Sequence, residues 1–238
     1  GAGRARLIPC GVPVATDEPL DHDQDVLRIG FCGRLEQNSK RVLDLVDLCA
    51  QFDQAHQRYR LRVVGEGTAR EVLTDRFATL IKPGTVEMLA TCPRGELYKS
   101  FYPALDVLVV TSDSETGPLV AFEAMMNHCL VVTSDFSGRE ASRSLIDGDN
   151  CLVFPVGDMT AAARQIQWVA THRDEARAIA HRGYRYAMER RSIDNMVVSW
   201  VEVFQSALAS APALGAATVP NDKAGQSRLE ALGCPGWL

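Results

Sequence analysis

The 238-residue sequence has no apolar run that approaches the roughly 20 residues of a membrane-spanning helix. It also lacks an initiator methionine and the charged-then-apolar pattern of a signal peptide, because it begins Gly1-Ala2-Gly3-Arg4. We therefore expect a processed piece of a longer cytoplasmic protein, with no transmembrane segment. Peripheral attachment to a membrane through a domain that precedes Gly1 stays open.

An excess of positive charge is also missing. The chain carries 25 Lys and Arg against 30 Asp and Glu, which gives a formal net charge of −5. A chain with a net negative charge has no overall electrostatic attraction to nucleic acid or to an anionic membrane. We expect no nucleic-acid partner, and any phosphate site must depend on particular cations.

The cysteines form no metal-binding or disulfide pattern. There are seven, an odd number, with no CxxC pair and no histidine at zinc-finger spacing. We therefore expect neither a bound metal nor a disulfide scaffold. Some of them lie in apolar, strand-like runs, where a thiol behaves as a small buried hydrophobe suited to a reducing cytosol. These are Cys32, Cys129 and Cys151.

Short runs rich in Val, Ile and Leu alternate with longer helical patterns, which is typical of stacked βα units and a parallel sheet. The predicted strands are Val26–Cys32, Tyr59–Gly65, Thr85–Ala90, Asp106–Ser112, Leu130–Ser134 and Asn150–Phe154. The predicted helices are Lys40–His56, Thr68–Leu80, Arg94–Ala104, Pro118–His128, Gly138–Leu145, Asp158–His172, Arg173–Arg190 and Asp194–Ala209.

This alternation predicts an α/β fold. We expect a doubly wound, Rossmann-like parallel sheet of about six strands, with helices on both faces and a helical C-terminal section. The hydrophobic content of 46% suits one principal core. Ligands of such sheets bind beyond the carboxyl ends of the strands, where strand order reverses. The residues that follow the first, fourth and fifth strands are therefore the candidates for a site.

The segment FCGRLEQNSKRV places a glycine and cations directly after the first predicted strand. Gly33 allows a ligand to approach the backbone. Arg34 offers a planar fork for two phosphate oxygens, and Lys40, at the predicted start of the next helix, offers a mobile point charge. The segment predicts a phosphate site, although solvated loop charges would give the same pattern.

The segment SDSETGPLVAFEAM follows the fourth predicted strand. Its Thr116-Gly117-Pro118 turn opens a helix, with proline at a tolerated first-turn position. Free backbone N–H groups and the positive end of the helix dipole then face the ligand crevice. The turn therefore predicts a diphosphate site.

Two acids of this segment need partners. Glu115 stands at the mouth of the turn, and Glu123 lies about one and a half turns inside the helix, where an unpaired acid in an apolar run is costly. A ribose would explain Glu123, because its vicinal hydroxyls can donate two hydrogen bonds to one carboxylate. A sugar hydroxyl edge would explain Glu115. The alternative makes Glu115 a helix-start acid and Glu123 a buried salt-bridge partner.

Five ordered stretches resemble those of the retaining GT-B glycosyltransferases of family 4, the group 1 transferases. ETGPLVAFE resembles their E-x7-E motif, and IPCGVPVA resembles the PNGVD stretch that opens their C-terminal domain. GRL with the following Lys40 resembles GRLxxxKG, RVVGEG resembles VGxG, and SGREASRSLIDGDNCLV resembles GGxxE…G.NG.LV. By this resemblance the chain is identified as a donor-binding C-terminal domain.

The resemblance implies a role for each candidate residue. Arg34 and Lys40 would neutralise the donor diphosphate, Glu123 would bind the ribose, and Glu115 would contact the sugar. Backbone amides around Gly117 would meet the sugar and phosphate. The implied catalytic residues are Glu115, Arg34 and Lys40. The implied donor-binding residues are Gly33, Arg34, Lys40, Glu115, Thr116, Gly117, Pro118, Leu119 and Glu123.

Some residues depart from the family pattern. Lys40 is displaced by one position and Arg41 stands where glycine is common, so either cation could meet the phosphate. Thr116 and Pro118 replace the frequent Gly and Phe, which leaves the sugar open. The family is usually metal-independent, which suits a chain with no DxD pair directly after a predicted strand.

The implied function is transfer of a sugar from a UDP- or GDP-sugar to an acceptor held by a missing N-terminal domain. The acceptor is a glycan, a lipid-linked molecule or a small molecule. The donor is a substrate, no cofactor is expected, and the isolated chain is expected to be inactive. The expected parts are an interdomain lead-in over 1–24, a nucleotide-sugar-binding domain over 25–209 and a flexible tail over 210–238.

Two other functions remain open. The chain could be a non-catalytic nucleotide-binding module, since a donor motif does not prove turnover. It could also be an NAD-dependent Rossmann enzyme, because Gly65-Glu66-Gly67 follows a predicted strand. The second alternative is weaker, because Arg70 replaces the third glycine and the motif follows the second strand instead of the first.

Overall fold

The structure is a computed structural model that describes residues 6–15, 25–80 and 84–210. Its strands form one six-stranded parallel sheet in the order β3-β2-β1-β4-β5-β6. The strands are β1 (Leu27–Cys32), β2 (Tyr59–Val64), β3 (Val86–Leu89), β4 (Val107–Val110), β5 (Leu130–Ser134) and β6 (Leu152–Phe154). The predicted fold class is confirmed.

The helices follow the strands in the predicted order. They are α1 (Asp44–Gln54), α2 (Arg70–Leu80), α3 (Arg94–Glu96), α4 (Leu119–Met126), α5 (Arg139–Ser142), α6 (Met159–Thr171), α7 (Arg173–Arg191) and α8 (Ile193–Ser210). After α3 the chain continues through a π-helical stretch, Leu97–Phe101, and a 3-10 turn, Tyr102–Ala104. None of these helices, within the described ranges, is long and apolar enough to span a bilayer.

The first helix begins later than predicted, which is a correction to the expected position of Lys40. Helix α1 starts at Asp44, so Lys40 lies in the loop before it. Arg41 has a φ of 48°, a left-handed conformation that cannot continue an α-helix. The side-chain oxygen of Gln37 instead accepts a hydrogen bond from the Leu43 N–H at 2.9 Å and shapes this loop.

Two smaller boundaries also differ. Pro118 is the residue that precedes α4, with φ −70° and ψ 97°, and does not lie within its first turn. Helix α5 ends at Ser142, short of the predicted Leu145, because Arg143 adopts a φ of 49°. The first change lengthens the loop between β4 and α4, at the carboxyl edge of the sheet where the candidate site was expected.

Apolar side chains form two clusters. One includes Leu27, Ile29 and Leu61 and joins the sheet to α1, α2 and α6. The other includes Leu108 and Phe122 and joins the sheet to the 97–104 segment and α4. Covering both faces explains why the central strands read as continuous apolar runs.

The β1 and β2 loops pack against each other at the carboxyl edge. A Cβ on Gly65, whose φ is 154°, would lie 1.9 Å from the carbonyl oxygen of Gly33. A Cβ on Gly67 would lie 2.4 Å from the carbonyl oxygen of Leu35. Glycine is therefore required at both positions because two backbones meet there.

Contacts divide the chain into two compact units, Gly1–Val198 and Ser199–Leu238. In the first unit, the described part of the predicted lead-in pairs with the end of α7: the Val12 N–H donates to the Arg191 carbonyl at 2.6 Å. In the second unit, the structure describes residues 199–210, the end of α8. Residues 1–5 and 16–24 of the predicted lead-in, and 211–238 of the predicted tail, lie outside the described residues.

Candidate functional site

Three loops meet beyond the carboxyl ends of β1, β4 and β5, at the point where strand order reverses. The Asp113 N–H donates to the Ser39 carbonyl at 3.0 Å, and the Ser137 N–H donates to the Asp113 carbonyl at 2.9 Å. The Thr111 hydroxyl donates to the Lys40 carbonyl at 2.6 Å. Direct bonds between these loops give the crevice a fixed shape where doubly wound sheets bind ligands.

Lys40 and Glu115 are brought together in this crevice. The ammonium of Lys40 forms an ion pair with Oε1 of Glu115. The Ser112 hydroxyl donates to the same oxygen at 2.6 Å. The side chains of Lys40 and Glu115 are only 18% and 11% exposed. Two predicted site residues thus form one mostly buried cluster.

Arg34 does not contact the residues of that cluster, and its side chain points toward its own loop. Its guanidinium, which is 68% exposed, pairs with Glu36 at 3.0 Å. Gly33 precedes it at the end of β1, and its N–H donates to the Val64 carbonyl at 3.0 Å. The long, solvated side chain of Arg34 can reorient at little cost, because exposed ion pairs contribute little to stability.

Arg41 turns away from the Lys40 cluster. Its Nε donates to Oδ2 of Asp44 at 2.8 Å. Its guanidinium also approaches Gly157, where an added Cβ would lie 2.9 Å from Arg41 Nη2. Arg41 has a positive φ, a conformation that glycine adopts freely and that costs other residues free energy. Of the two neighbouring cations, Lys40 is the one that faces Glu115.

The turn before α4 leaves its backbone open. Thr116 and Gly117 are exposed, Pro118 is buried, and Leu119 begins the helix. No side chain caps this helix start. Gly117 has a φ of 142°, and no described atom would lie within 4 Å of an added Cβ. The amides of Gly117 and Leu119 are therefore placed where an anion can approach them.

Glu123 is buried, with its side chain 4% exposed, on α4. The Tyr102 hydroxyl donates to Oε2 at 2.7 Å. The Nε of Arg94 pairs with Oε1 at 2.9 Å. Glu123 thus forms the buried salt bridge that the alternative to ribose binding predicted. A carboxylate oxygen can accept two hydrogen bonds, and each oxygen of Glu123 has one of these partners here. Each oxygen can therefore accept one more bond, as from a ribose diol.

Sequence reasoning missed Arg94, Tyr98 and Tyr102 around this carboxylate. Tyr98 and Tyr102 pack edge to face, with ring centroids 5.8 Å apart. The three residues recur at four-residue spacing in a segment predicted to be helical, which would place them on one face. This four-residue spacing is the sequence pattern from which the three residues could have been predicted to lie together.

The Gly65-Glu66-Gly67 stretch does not form an open phosphate loop. The backbone of Gly33 and Leu35 fills the space beside these glycines. The Leu35 N–H donates to the Glu66 carbonyl at 2.8 Å, and the Ala69 N–H donates to the Leu35 carbonyl at 2.9 Å. The glycines serve packing between two loops, which removes the basis of the NAD-dependent alternative.

Burial raises the pKa of several groups in and below the site. The pKa of the Cys32 thiol rises to about 11, chiefly through burial. Burial also raises the pKa of Tyr98 and of Tyr102, with Glu123 adding to both. These groups therefore stay neutral near pH 7. Within the described ranges, no three His, Cys, Asp or Glu side chains cluster as metal ligands.

A family model described as "Glycosyl transferases group 1" matches residues 15–186. No curated protein sequence matches the chain. Among solved structures, a sucrose-phosphate synthase from Thermosynechococcus elongatus has a TM-score of 0.76 and 23% identity. That match covers 88% of this chain and 54% of the synthase.

Two further structures are similar. HepE from Anabaena, in complex with UDP and glucose, has a TM-score of 0.67 and 20% identity over 76% of this chain and 49% of that one. The C-terminal domain of a group 1 glycosyl transferase family protein, LpcC from Francisella tularensis, has a TM-score of 0.65 and 19% identity. That match covers 77% of this chain and 100% of that domain. The chain thus spans about half the length of the synthase and of HepE.

Proposed function

The chain belongs to the group 1 glycosyl transferases, and from that membership we propose that it is the donor-binding domain of a retaining, family 4 glycosyltransferase. In this proposal it binds a UDP- or GDP-sugar. The acceptor is a glycan, a lipid-linked molecule or a small molecule held by an N-terminal domain outside these residues. The protein acts in the cytoplasm, and the 238-residue chain alone transfers little or no sugar.

The observation that carries the proposal is the cluster of Lys40, Ser112 and Glu115 beside the uncapped start of α4. A cation, a hydroxyl, a carboxylate and free amides converge at the one edge of the sheet where doubly wound folds bind nucleotides. A diphosphate-linked sugar presents the complementary groups: phosphate oxygens for the cation and amides, and hydroxyls for the carboxylate.

Leaving-group stabilisation is the domain's share of catalysis. As the bond between sugar and diphosphate breaks, negative charge grows on the diphosphate. Lys40 and the amides of Gly117 and Leu119 would stabilise that charge, and Arg34 would join them after its side chain reorients. Each such donor is often worth about 3 kcal/mol. The acceptor would attack the sugar carbon from the same face that the diphosphate leaves. Attack from that face would retain the configuration at this carbon.

The two acids take separate parts of the donor. Glu115 accepts hydrogen bonds from the sugar hydroxyls, next to the ammonium that holds the phosphate. Glu123 accepts from the ribose, with Tyr102 holding its other oxygen. The HepE structure that holds UDP-glucose, 21% identical over 76% of this chain, shows that this fold accommodates such a donor in a relative.

Isothermal calorimetry of the chain with UDP-, GDP- and ADP-sugars tests the proposal. We expect one of the first two to bind and the Lys40→Ala variant to bind it more weakly. Transfer assays on the full-length parent protein then separate an enzyme from a non-catalytic module. Absence of binding to every nucleotide sugar would refute the proposal.

A further inference from the structure

The Glu123 carboxylate is covered by a side chain that can move. Arg94 is 54% exposed, whereas Glu123 is 4% exposed. Arg94 begins the three-residue helix α3, and no side chain caps that helix. The Arg94 guanidinium regains hydration when it rotates into water, so the cost of its displacement falls on the buried carboxylate, which then needs another donor. The Tyr102 hydroxyl holds the other oxygen of Glu123 and is itself buried.

A second polar group beside Glu123 lacks a hydrogen bond. The Tyr98 hydroxyl oxygen is inaccessible to water and has no hydrogen-bond partner among the described residues. Its ring packs edge to face on Tyr102. Burial raises its pKa, Glu123 adds to the rise, and Arg94 opposes it, so the hydroxyl lies within electrostatic reach of both. A buried hydroxyl without a partner costs free energy that a ligand can recover.

We propose that Tyr98 is a further ribose-binding residue, uncovered together with the Glu123 carboxylate when a ribonucleotide displaces the guanidinium of Arg94. This inference rests on the proposed donor-binding function and deepens it. Glu123 accepts from one ribose hydroxyl or both, and the Tyr98 hydroxyl pairs with the oxygen of a ribose hydroxyl. Arg94 competes with the ribose for Oε1 of Glu123 and holds the empty site closed.

The arrangement selects ribonucleotides over 2′,3′-dideoxyribonucleotides. A nucleotide without ribose hydroxyls cannot replace the ion pair that Arg94 makes with Glu123. It would also leave the Tyr98 hydroxyl unpaired. A ribonucleotide supplies donors for the carboxylate and a partner for the phenol, so the displacement of Arg94 is compensated.

Calorimetry with UDP and GDP, and with their 2′,3′-dideoxy forms, tests this inference on the full chain. Tyr98→Phe keeps the ring and removes only the hydroxyl. We expect it to weaken binding of the ribonucleotide about tenfold, the effect of one hydrogen bond. The dideoxy form should change less than about twofold. Equal losses for both forms, or no loss for either, would overturn the role of Tyr98.

Arg94→Met keeps the aliphatic stem and removes the charge. Because it removes the competitor, we expect ribonucleotide binding to tighten about threefold or more, with little change for the dideoxy form. Weaker ribonucleotide binding would overturn the displacement of Arg94. The matched controls are Arg185→Met, whose pair with Glu189 lies within α7, and Tyr184→Phe, whose ring stacks on His128.

The outcomes distinguish the inference from the function on which it rests. If the unsubstituted chain binds neither UDP nor GDP, the proposed donor site is wrong. If it binds one of them and the Tyr98 and Arg94 variants behave as the two controls do, only this inference is wrong. Thermal unfolding of each variant identifies a loss of binding that comes from misfolding, and Tyr98→Leu, which also lacks the hydroxyl, then provides a second test.

Discussion

Lys40 and Glu115 are 75 residues apart in the chain, and their side chains form an ion pair across the crevice between β1 and β4. The Ser112 hydroxyl donates to the same carboxylate oxygen. The pair holds a cation and an anion next to each other in the crevice. A donor sugar that carries both phosphate and hydroxyls can engage both without leaving either charge unpaired.

Removal of the Lys40 charge should discriminate between ligands. Lys40→Ala is expected to weaken binding of the nucleoside diphosphate by about 1.5–3 kcal/mol, the value of a charge-assisted contact, and to leave the bare nucleoside nearly unchanged. Arg34→Ala should act in the same direction. Arg41→Ala is the control, because Arg41 pairs with Asp44 and not with Glu115. Equal losses for nucleoside and diphosphate would refute these roles.

Substitution of the two acids should weaken the binding of different ligands. Glu123→Gln should weaken nucleotide binding, and the loss should shrink with a 2′-deoxy nucleotide, since the ribose is its expected partner. Glu115→Gln should weaken the nucleotide sugar and spare the free nucleoside diphosphate. Calorimetry with the three ligands separates the two effects. If Glu123→Gln lowers stability and leaves ligand preference unchanged, its ion pair with Arg94 is only structural.

Three glycine substitutions should differ in stability for separate reasons. Gly65→Ala should destabilise by more than about 3 kcal/mol, because its Cβ would overlap the Gly33 carbonyl. Gly117→Ala should cost about 1–2 kcal/mol, since space is open there but φ is 142°. Gly95→Ala, in α3 with no neighbour within 4 Å, should be neutral or stabilise by up to about 1 kcal/mol. Urea unfolding measures all three, and a different order would contradict the packing described here.

The buried thiol of Cys49 should make stability fall at high pH. Burial raises its pKa from 9.0 to about 12, so the folded state keeps the proton that the unfolded chain loses. Its contribution is present below pH 9 and is lost as pH rises toward 12. Cys49→Ala should therefore make the slope of unfolding free energy against pH less negative, by up to about 1.4 kcal/mol per unit, between pH 9 and 11.

The control for that measurement is Cys10→Ala, because Cys10 is exposed. The slope of its unfolding free energy against pH should match that of the unsubstituted chain. Identical slopes for all three proteins would mean that the Cys49 thiol titrates alike in the folded and unfolded states.

The strands were predictable because their signal is local. The runs Val107–Val110 and Leu130–Val132 are apolar at every position, and a strand covered by helices on each side accommodates such a run. The late start of α1 was not predictable from periodicity. It follows from the left-handed Arg41 and from the hydrogen bond between Gln37 and Leu43, which depend on the folded loop.

The candidate site also has features that the sequence predicts and features that depend on the folded structure. The sequence by itself determined that Arg34, Lys40, Glu115 and the Gly117 turn follow strands whose carboxyl ends share one edge, because parallel βα units impose that arrangement. Only the tertiary structure decided that Lys40 meets Glu115 while Arg41 turns to Asp44. It also decided that Arg94 and Tyr102 take the two oxygens of Glu123. Partner choice between residues far apart in the chain depends on the loop conformations that strand pairing brings together, and local residue preferences do not encode it.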